Sequence, residues 1–322
     1  MRNSPAVIVH SDHPEAALAE LRQRHPEFAF SGCDSYAGLP EAVAEAEARI
    51  VYTIRFAGSP GYPRQALVDS PTVKWVAVGG SGTDHLRPWD PARVTVTNAA
   101  GVAADMMAEY ALGMMLAFTL GLPRFGRAQR ARQWIDGKVE PIEGKTLLIV
   151  GLGKTGQATA RRAKALGVAT LGVRARPQPT ACVDEVHGVA DLPGLWPRAD
   201  FVLCSVPLTE ETRGLIGAAA FAAMKASAVL IDVSRGGIVA EAALLDALGS
   251  NRIRGAALDV FATEPLPAGY PLWGLDNVLI TPHCSAVYDG WEARSVRLFS
   301  DNLSRYCAGR PLTNVVDPVR GY

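Results

Sequence analysis

Short apolar runs alternate with helical stretches along nearly the whole chain, the signature of an α/β protein built on parallel sheets. A first set of strand-like runs comprises "AVIVH" (6–10), "RIVYTI" (49–54), "KWVAVG" (74–79) and "VTVTN" (94–98). Helical patterns lie between them, among them "EAALAELRQR" and "EAVAEAEA", and a long helix is predicted from about Ala104 to Leu120. A second set begins at "KTLLIVG" (145–151) and continues through "ATLGVR" (169–174), "DFVLCSV" (200–206), "AVLIDVS" (228–234), "RGAALDV" (254–260) and "NVLITP" (277–282). Its intervening helices are "GQATARRAKALG", "AAAFAAMKA" and "AEAALLDALGS", and "WEARSVRLFSDNLSRYCAG" (291–309) forms a last amphipathic helix. At 322 residues, two such sets imply two domains.

Charge and cysteine content exclude several classes. Lys+Arg and Asp+Glu both number 32, and no charge block or basic tail points to nucleic acid or an anionic membrane. The apolar segment "MMAEYALGMMLAFTLGLP" is interrupted by Glu109 and ended by Pro123, too short for a membrane span and suited to a buried helix. The N-terminus reads as a first strand rather than a signal peptide. The five cysteines are scattered without CxxC or metal-ligand spacing, and no histidines stand at zinc-ligand spacing, which suits a reducing cytoplasm and predicts no metal.

The segment "LLIVGLGKTGQATARRAKALG" places Gly151, Gly153 and Gly156 directly after a strand and at the start of a helix. Gly151 permits the tight turn, Gly153 lets the backbone approach a pyrophosphate, and Gly156 allows close helix–strand packing. The helix N-terminus supplies N–H groups and positive dipole to the phosphates. The same loop also suits S-adenosylmethionine in methyltransferases. At the end of the next strand, "LGVRARP" carries Arg174 and Arg176 and no acid. A carboxylate there would repel a 2′-phosphate, whereas arginines attract it, so the sequence favours NADP(H) over NAD(H). The proline-rich loop that follows is either a cover for the ligand or a plain surface loop.

Three polar residues stand just past the ends of three further strands: Arg235 in "IDVSRGGIV", Glu264 in "LDVFATEPLP" and His283 in "LITPHCSA". In an open parallel sheet that edge is where ligands bind. An arginine holds a carboxylate through two parallel hydrogen bonds. A histidine paired with a glutamate keeps and donates a proton near neutral pH. With the glycine loop, these residues suggest hydride transfer to a 2-oxo acid, and a methyltransferase has no use for them.

The segments "VKWVAVGGSGTDHL", "NAAGVAADMMAEYALGMML", "VGLGKTG", "VPLTEETRGLIG", "MKASAVLIDVSRGGIV", "AALDVFATEPLP" and "LITPH" occur in order from Val73 to near Pro282. Over this stretch the chain resembles the D-isomer-specific 2-hydroxyacid dehydrogenases, most of all their glyoxylate/hydroxypyruvate reductase-like branch. The resemblance implies two Rossmann-like or flavodoxin-like domains, the coenzyme domain inserted into the substrate domain. The substrate domain would comprise 1–100 plus 285–322 and the dinucleotide-binding domain 101–284, with crossover helices at 101–120 and 284–305. The active site would lie in the cleft. Homodimers would form partly through "LPRFGRAQRARQW".

The resemblance also implies individual roles. Arg235 would anchor the substrate's carboxylate and 2-oxo oxygen. His283 would be the general acid in reduction and the base in oxidation, with Glu264 orienting its ring. Backbone N–H groups of Ser81 and Gly82 would bind the carboxylate. Lys154 and Thr155 would meet the phosphates, and Val206 and Pro207 the adenine edge. Thr212 would hydrogen-bond the cofactor, Val233 and Ser234 would lie beside the nicotinamide ribose, and Asp259 near the nicotinamide or in a capping role. Arg55, at the end of "RIVYTI", either reaches the far end of the substrate or is an exposed arginine. The expected reaction is reduction of a small 2-oxo acid to a D-2-hydroxy acid by NADPH. Two rivals stand beside it: an NAD-dependent dehydrogenase of a bulkier or phosphorylated hydroxy acid, and a non-catalytic nucleotide-sensing regulator of the same fold.

Overall fold

The computed structural model describes residues 5–54 and 61–321. The chain divides into two compact units, Met1–Val102 with Asp289–Tyr322, and Ala103–Tyr288.

The first unit opens with β1 (Ala6–His10), α1 (Glu15–Arg24), β2 (Ala29–Cys33), α2 (Leu39–Glu45), β3 (Ile50–Thr53), α3 (Arg64–Val68), β4 (Trp75–Val78) and β5 (Thr95–Asn98). The strands pair in the order β2-β1-β3-β4-β5, all parallel. β2 is an edge strand whose "AFSGC" sequence buries only Phe30 and Cys33, which is why its apolar pattern does not announce a strand.

The second unit follows with α4 (Ala104–Thr119), α5 (Leu122–Arg130), β6 (Thr146–Val150), α6 (Lys154–Ala165), β7 (Ala169–Val173), β8 (Glu185–His187), α7 (Leu192–Leu195), β9 (Phe201–Cys204), α8 (Ala218–Ala223), β10 (Val229–Asp232), α9 (Glu241–Gly249), β11 (Gly255–Leu258) and β12 (Val278–Ile280). Its seven parallel strands run β12-β11-β10-β9-β6-β7-β8. The chain returns to the first unit as α10 (Trp291–Cys307). The resemblance implies a start for this last helix near 284; it begins at Trp291, where the residue pattern alone sets it, after Gly290 at φ 88° ends the preceding loop.

Both faces of each sheet are covered, so the inner strands read as continuous apolar runs rather than alternating ones. In the first unit Val7, Val9, Ile50 and Trp75 pack with Leu18 and Leu21 of α1 and Phe299 and Leu303 of α10. On the other face Ile8, Val51 and Val76 pack with Leu39, Val43 and Leu67. In the second unit Leu147, Ile149, Leu203 and Ile231 face Met115 and Phe118 of α4 and Ala160 and Ala163 of α6. Leu148, Val202, Leu230 and Leu258 face Phe221, Leu244 and Leu248. Each of the larger of these side chains contributes about 1.5–3 kcal/mol on burial. Small residues let α4 and α6 approach closely, with Ala104 and Ala108 against Ala158.

Beyond α10 the chain runs antiparallel along the open edge of β5. Thr97 pairs with Val315, Val316 donates its N–H to Val96 O at 2.9 Å, and Asn98 donates to Asn314 O at 3.1 Å. Among the described residues no single helix is long and apolar enough to cross a membrane.

Candidate active site

In the seven-stranded sheet the strand order reverses between β6 and β9, which is where an open α/β sheet leaves a crevice at its C-terminal edge. The glycine loop follows β6. Gly151 adopts φ 108°, and a Cβ there would lie 2.7 Å from Ser205 O, just past β9. A Cβ on Gly156 would lie 2.2 Å from Gly151 O, so only glycine lets α6 start this close to its strand. Gly153 is the opposite case: a Cβ would meet nothing within 4 Å, and this residue caps α6 with extended backbone. An open space over exposed backbone at a helix N-terminus suits the pyrophosphate of a dinucleotide. Lys154 and Thr155 are the first helical residues; the Thr155 hydroxyl donates to Met107 Sδ at 3.6 Å.

Arg174 follows β7 directly, half-buried, and Arg176 is exposed two residues on. Asp184, bonded to Lys164 and the Thr170 backbone, and Glu185, bonded to Arg198 and His187, lie toward the start of β7 rather than at its end, and Asp191, past the end of β8, accepts the Gly188 N–H at 2.9 Å. Edge strand β8, which the sequence pattern did not single out, lies beside β7, and Arg174 donates its N–H to His187 O at 3.1 Å. The residue directly past β7 is thus an arginine where an acid would meet a ribose 2′-hydroxyl.

Val206 and Pro207 leave the end of β9, half-buried. The Thr212 hydroxyl donates to Pro207 O at 2.7 Å and accepts from Thr209 N at 2.8 Å, which makes it a staple of its own turn.

The triplet is assembled by β10, β11 and β12, adjacent in the sheet. His283 Nδ1 lies 2.7 Å from Glu264 Oε2, while Glu264 Oε1 accepts the Phe261 N–H at 2.9 Å. Both side chains are about one third exposed, at 37% and 34%. Burial pushes the Glu264 carboxyl up, but the hydrogen bonds from His283 and Phe261 and the charges of His283 and Arg235 outweigh it and hold it below its ordinary value. His283 itself adopts φ 52°, the left-handed region that non-glycine residues enter only when their surroundings enforce it. Arg235 donates to Ser234 O at 2.7 Å. The glycine after it is as constrained as Gly151 and Gly156. A Cβ on Gly236 would lie 2.0 Å from Phe261 O, so the Arg235 turn rests directly on the backbone that leads to Glu264.

Two buried aspartates lie beneath. Asp232 ends β10, 3% exposed, and its Oδ1 accepts the Ser234 N–H at 3.0 Å and the Ser234 hydroxyl. Burial lifts its carboxyl to about 7. Asp259, wholly buried after β11, accepts from Thr281 Oγ1 at 2.6 Å, Cys284 N at 2.8 Å and Ser285 N at 3.0 Å. Tyr110 of α4 joins this network through Thr281 Oγ1 at 2.8 Å. Ser234 and Asp259, which the resemblance brings to the cofactor, thus hold the loops that carry Arg235 and His283. Val233 is buried at 3% exposure, its side chain part of the sheet's core. Asp259 takes the capping role that was one of its two sequence readings, whereas Asp232 escaped the sequence reading because an acid at a strand end reads as a turn cap.

Ser81 and Gly82 lie in the first unit, in the turn after β4, where the Asn98 side chain donates to Ser81 O at 2.7 Å. Arg55 lies outside the described residues. Among the described residues no group of three or more His, Cys, Asp or Glu side chains is placed to hold a metal ion.

A family model described as the NAD binding domain of D-isomer specific 2-hydroxyacid dehydrogenases matches residues 112–285. The glycerate dehydrogenase of Methylorubrum extorquens is 35% identical over 267 residues, 78% of this chain and 81% of its own. The D-3-phosphoglycerate dehydrogenase of Methanocaldococcus jannaschii is 34% identical over 259 residues, 79% of this chain but 49% of its own, so this chain spans about half the length of that relative. Among solved structures, an NADPH-dependent glyoxylate/hydroxypyruvate reductase from Sinorhizobium meliloti, in complex with NADP and sulfate, superposes with a TM-score of 0.82 at 27% identity, covering 99% of this chain and 100% of its own.

Proposed function

The chain belongs to the D-isomer specific 2-hydroxyacid dehydrogenases, NAD(P)-dependent oxidoreductases, and from that membership we propose that it reduces a small 2-oxo acid of the glyoxylate/hydroxypyruvate kind with NADPH. The observation that supports this most is the 2.7 Å contact of His283 Nδ1 with Glu264, beside Arg235. With Nδ1 engaged, Nε2 is the nitrogen that delivers a proton to the substrate oxygen. Glu264 fixes the ring through its hydrogen bond to Nδ1. Arg235 binds the carboxylate and polarises the 2-oxo group, each charge-assisted hydrogen bond worth roughly 1.5–3 kcal/mol. The Gly151–Gly156 loop and α6 would hold the pyrophosphate, with Arg174 and Arg176 against a 2′-phosphate. When bound, the reduced nicotinamide supplies the hydride.

The test is a panel of 2-oxo acids assayed with NADPH and NADH side by side. NADPH with glyoxylate or hydroxypyruvate is expected to give the highest kcat/KM, and the preference for NADPH is expected to collapse in R174A/R176A. A higher kcat/KM with NADH would overturn the cofactor assignment. His283→Asn is expected to lower kcat about 10²–10⁴-fold, the range of a lost general acid. Reduction requires protonated His283 and oxidation the neutral ring, so reduction is expected to weaken and oxidation to strengthen as pH rises. Identical profiles in both directions would remove His283 from that role. The 34% identity to a D-3-phosphoglycerate dehydrogenase favours, as a second reading, a phosphorylated substrate, which the same panel decides when it includes 3-phosphohydroxypyruvate.

A further inference from the structure

Glu264 is carried by a largely exposed loop that meets the core only after Glu264 itself, through half-buried Leu266 and Tyr270. Residues 262–265 are all exposed, and so are most of the residues up to Tyr270. A stretch such as 262–265, exposed throughout, keeps a single conformation only where polar contacts offset the entropy of about 1–2 kcal/mol per ordered residue. Yet Glu264 must present one oxygen to His283 at 2.7 Å and the other to Phe261 N at 2.9 Å.

One side chain from another element meets this loop at both of its ends. Glu241, the first residue of α9, accepts the Ala262 N–H on Oε1 at 2.9 Å and the Tyr270 hydroxyl on Oε2 at 2.6 Å. Both carboxylate oxygens are engaged, each by a residue more than twenty positions away, and Glu264 lies between the two points of attachment. The bond to Glu241 pushes the Tyr270 hydroxyl up to about 12, so the phenol keeps its proton as the donor. Tyr270 in turn begins a short turn (Pro271–Gly274) anchored by buried Leu272. The clamp therefore ties an exposed loop to a helix start on one side and to the core on the other.

We infer that Glu241 is a positioning residue: its carboxylate clamps the 262–270 loop and thereby holds Glu264 against His283. The inference rests on the proposed role of the Glu264–His283 pair. An acid at a helix start ordinarily serves the helix dipole, which any first-turn acid does. The two cross-loop bonds are what that ordinary role leaves unexplained.

The test uses the full chain in NADPH-dependent reduction of glyoxylate and hydroxypyruvate. Glu241→Ala is expected to lower kcat about tenfold, a fraction of the 10²–10⁴ that acid–base catalysis contributes, with KM for NADPH within about twofold. Glu241→Gln is expected to recover most of it, since its carbonyl accepts from Ala262 and its amide donates to the Tyr270 oxygen. Because Glu241 acts through Glu264, E241A/E264Q is expected to be no slower than E264Q alone within about twofold, the non-additivity of a shared pathway. Amide exchange over 261–270 is expected to accelerate in E241A. Wild-type kcat in E241A, or losses that multiply in the double variant, would overturn the inference. If E241A does not fold, Tyr270→Phe removes one arm of the clamp and is expected to lower kcat to a lesser extent; unchanged kcat there would overturn it equally. Wild-type kcat in E264Q and H283N would instead remove the catalytic pair, and faster exchange alone would then show a clamp without a catalytic part.

Discussion

His283 and Asp232 show how individual residues are held in conditions they would not choose in water. His283 occupies left-handed backbone at a cost of about 1–3 kcal/mol, sustained by Asp259 taking the N–H groups of the next two residues. Asp232 has its carboxyl lifted to about 7 by burial. The unfolded chain releases that proton near 3.8, so between these values the folded state keeps a proton the unfolded state has lost. This group therefore lowers stability as pH rises through that window. Glu264 works in the opposite sense: its lowered value contributes stability that is lost as pH falls through it. Asp232→Asn imitates the protonated acid and keeps the acceptor for Ser234. Its melting temperature is expected to exceed that of the parent chain at pH 8 by a few degrees, with a smaller gain at pH 5; an equal shift at both values would show that the Asp232 proton is not involved. The triplet was legible in sequence because Arg, Glu and His each stand past a strand end. Asp232 and Glu241 were not, because an acid at a turn or helix start has an ordinary local use that hides a distant one.

At the scale of elements, the strand–loop junctions carry more information than the strands. The buried strands β6, β9, β10 and β11 read clearly as apolar runs, since every residue in each except Thr146 is buried. The edge strands β2 and β8 did not, because an edge strand half open to solvent or only three residues long leaves no such run. Sequence also gave no sign of how closely the β10 and β11 exits approach, a closeness that requires glycine at 236. Gly236→Ala would set a methyl group against the Phe261 carbonyl, and neither side is a flexible side chain. The two exits must then part, at about 1–3 kcal/mol of overpacking, and Arg235 moves relative to Glu264. The expected outcome is a fall of at least about tenfold in kcat/KM together with a lower melting temperature. A variant with unchanged kinetics would show that the junction tolerates separation.

For the molecule as a whole, the α/β class followed from alternation alone, whereas the order of strands did not. Nothing in the local pattern of "AVIVH" says that β1 lies between β2 and β3, because pairing is decided by which helices cover which face. Nor does the pattern announce what the last residues do. Asn302 of α10 grips Thr313 through both its amide oxygen and its nitrogen, Asn314 reaches Asn98 O and Ala100 O, and Val316 sinks into the core at 4% exposure. The consequence concerns self-association rather than catalysis. A parallel sheet that stops at β5 offers a row of unpaired backbone groups to any other chain, and the segment around Val315 occupies that row. Removing residues 312–322 is expected to leave secondary structure largely intact while the chain forms soluble aggregates at micromolar concentration, seen by light scattering. A truncated chain that stayed as dispersed as the full one would show that β5 needs no guard.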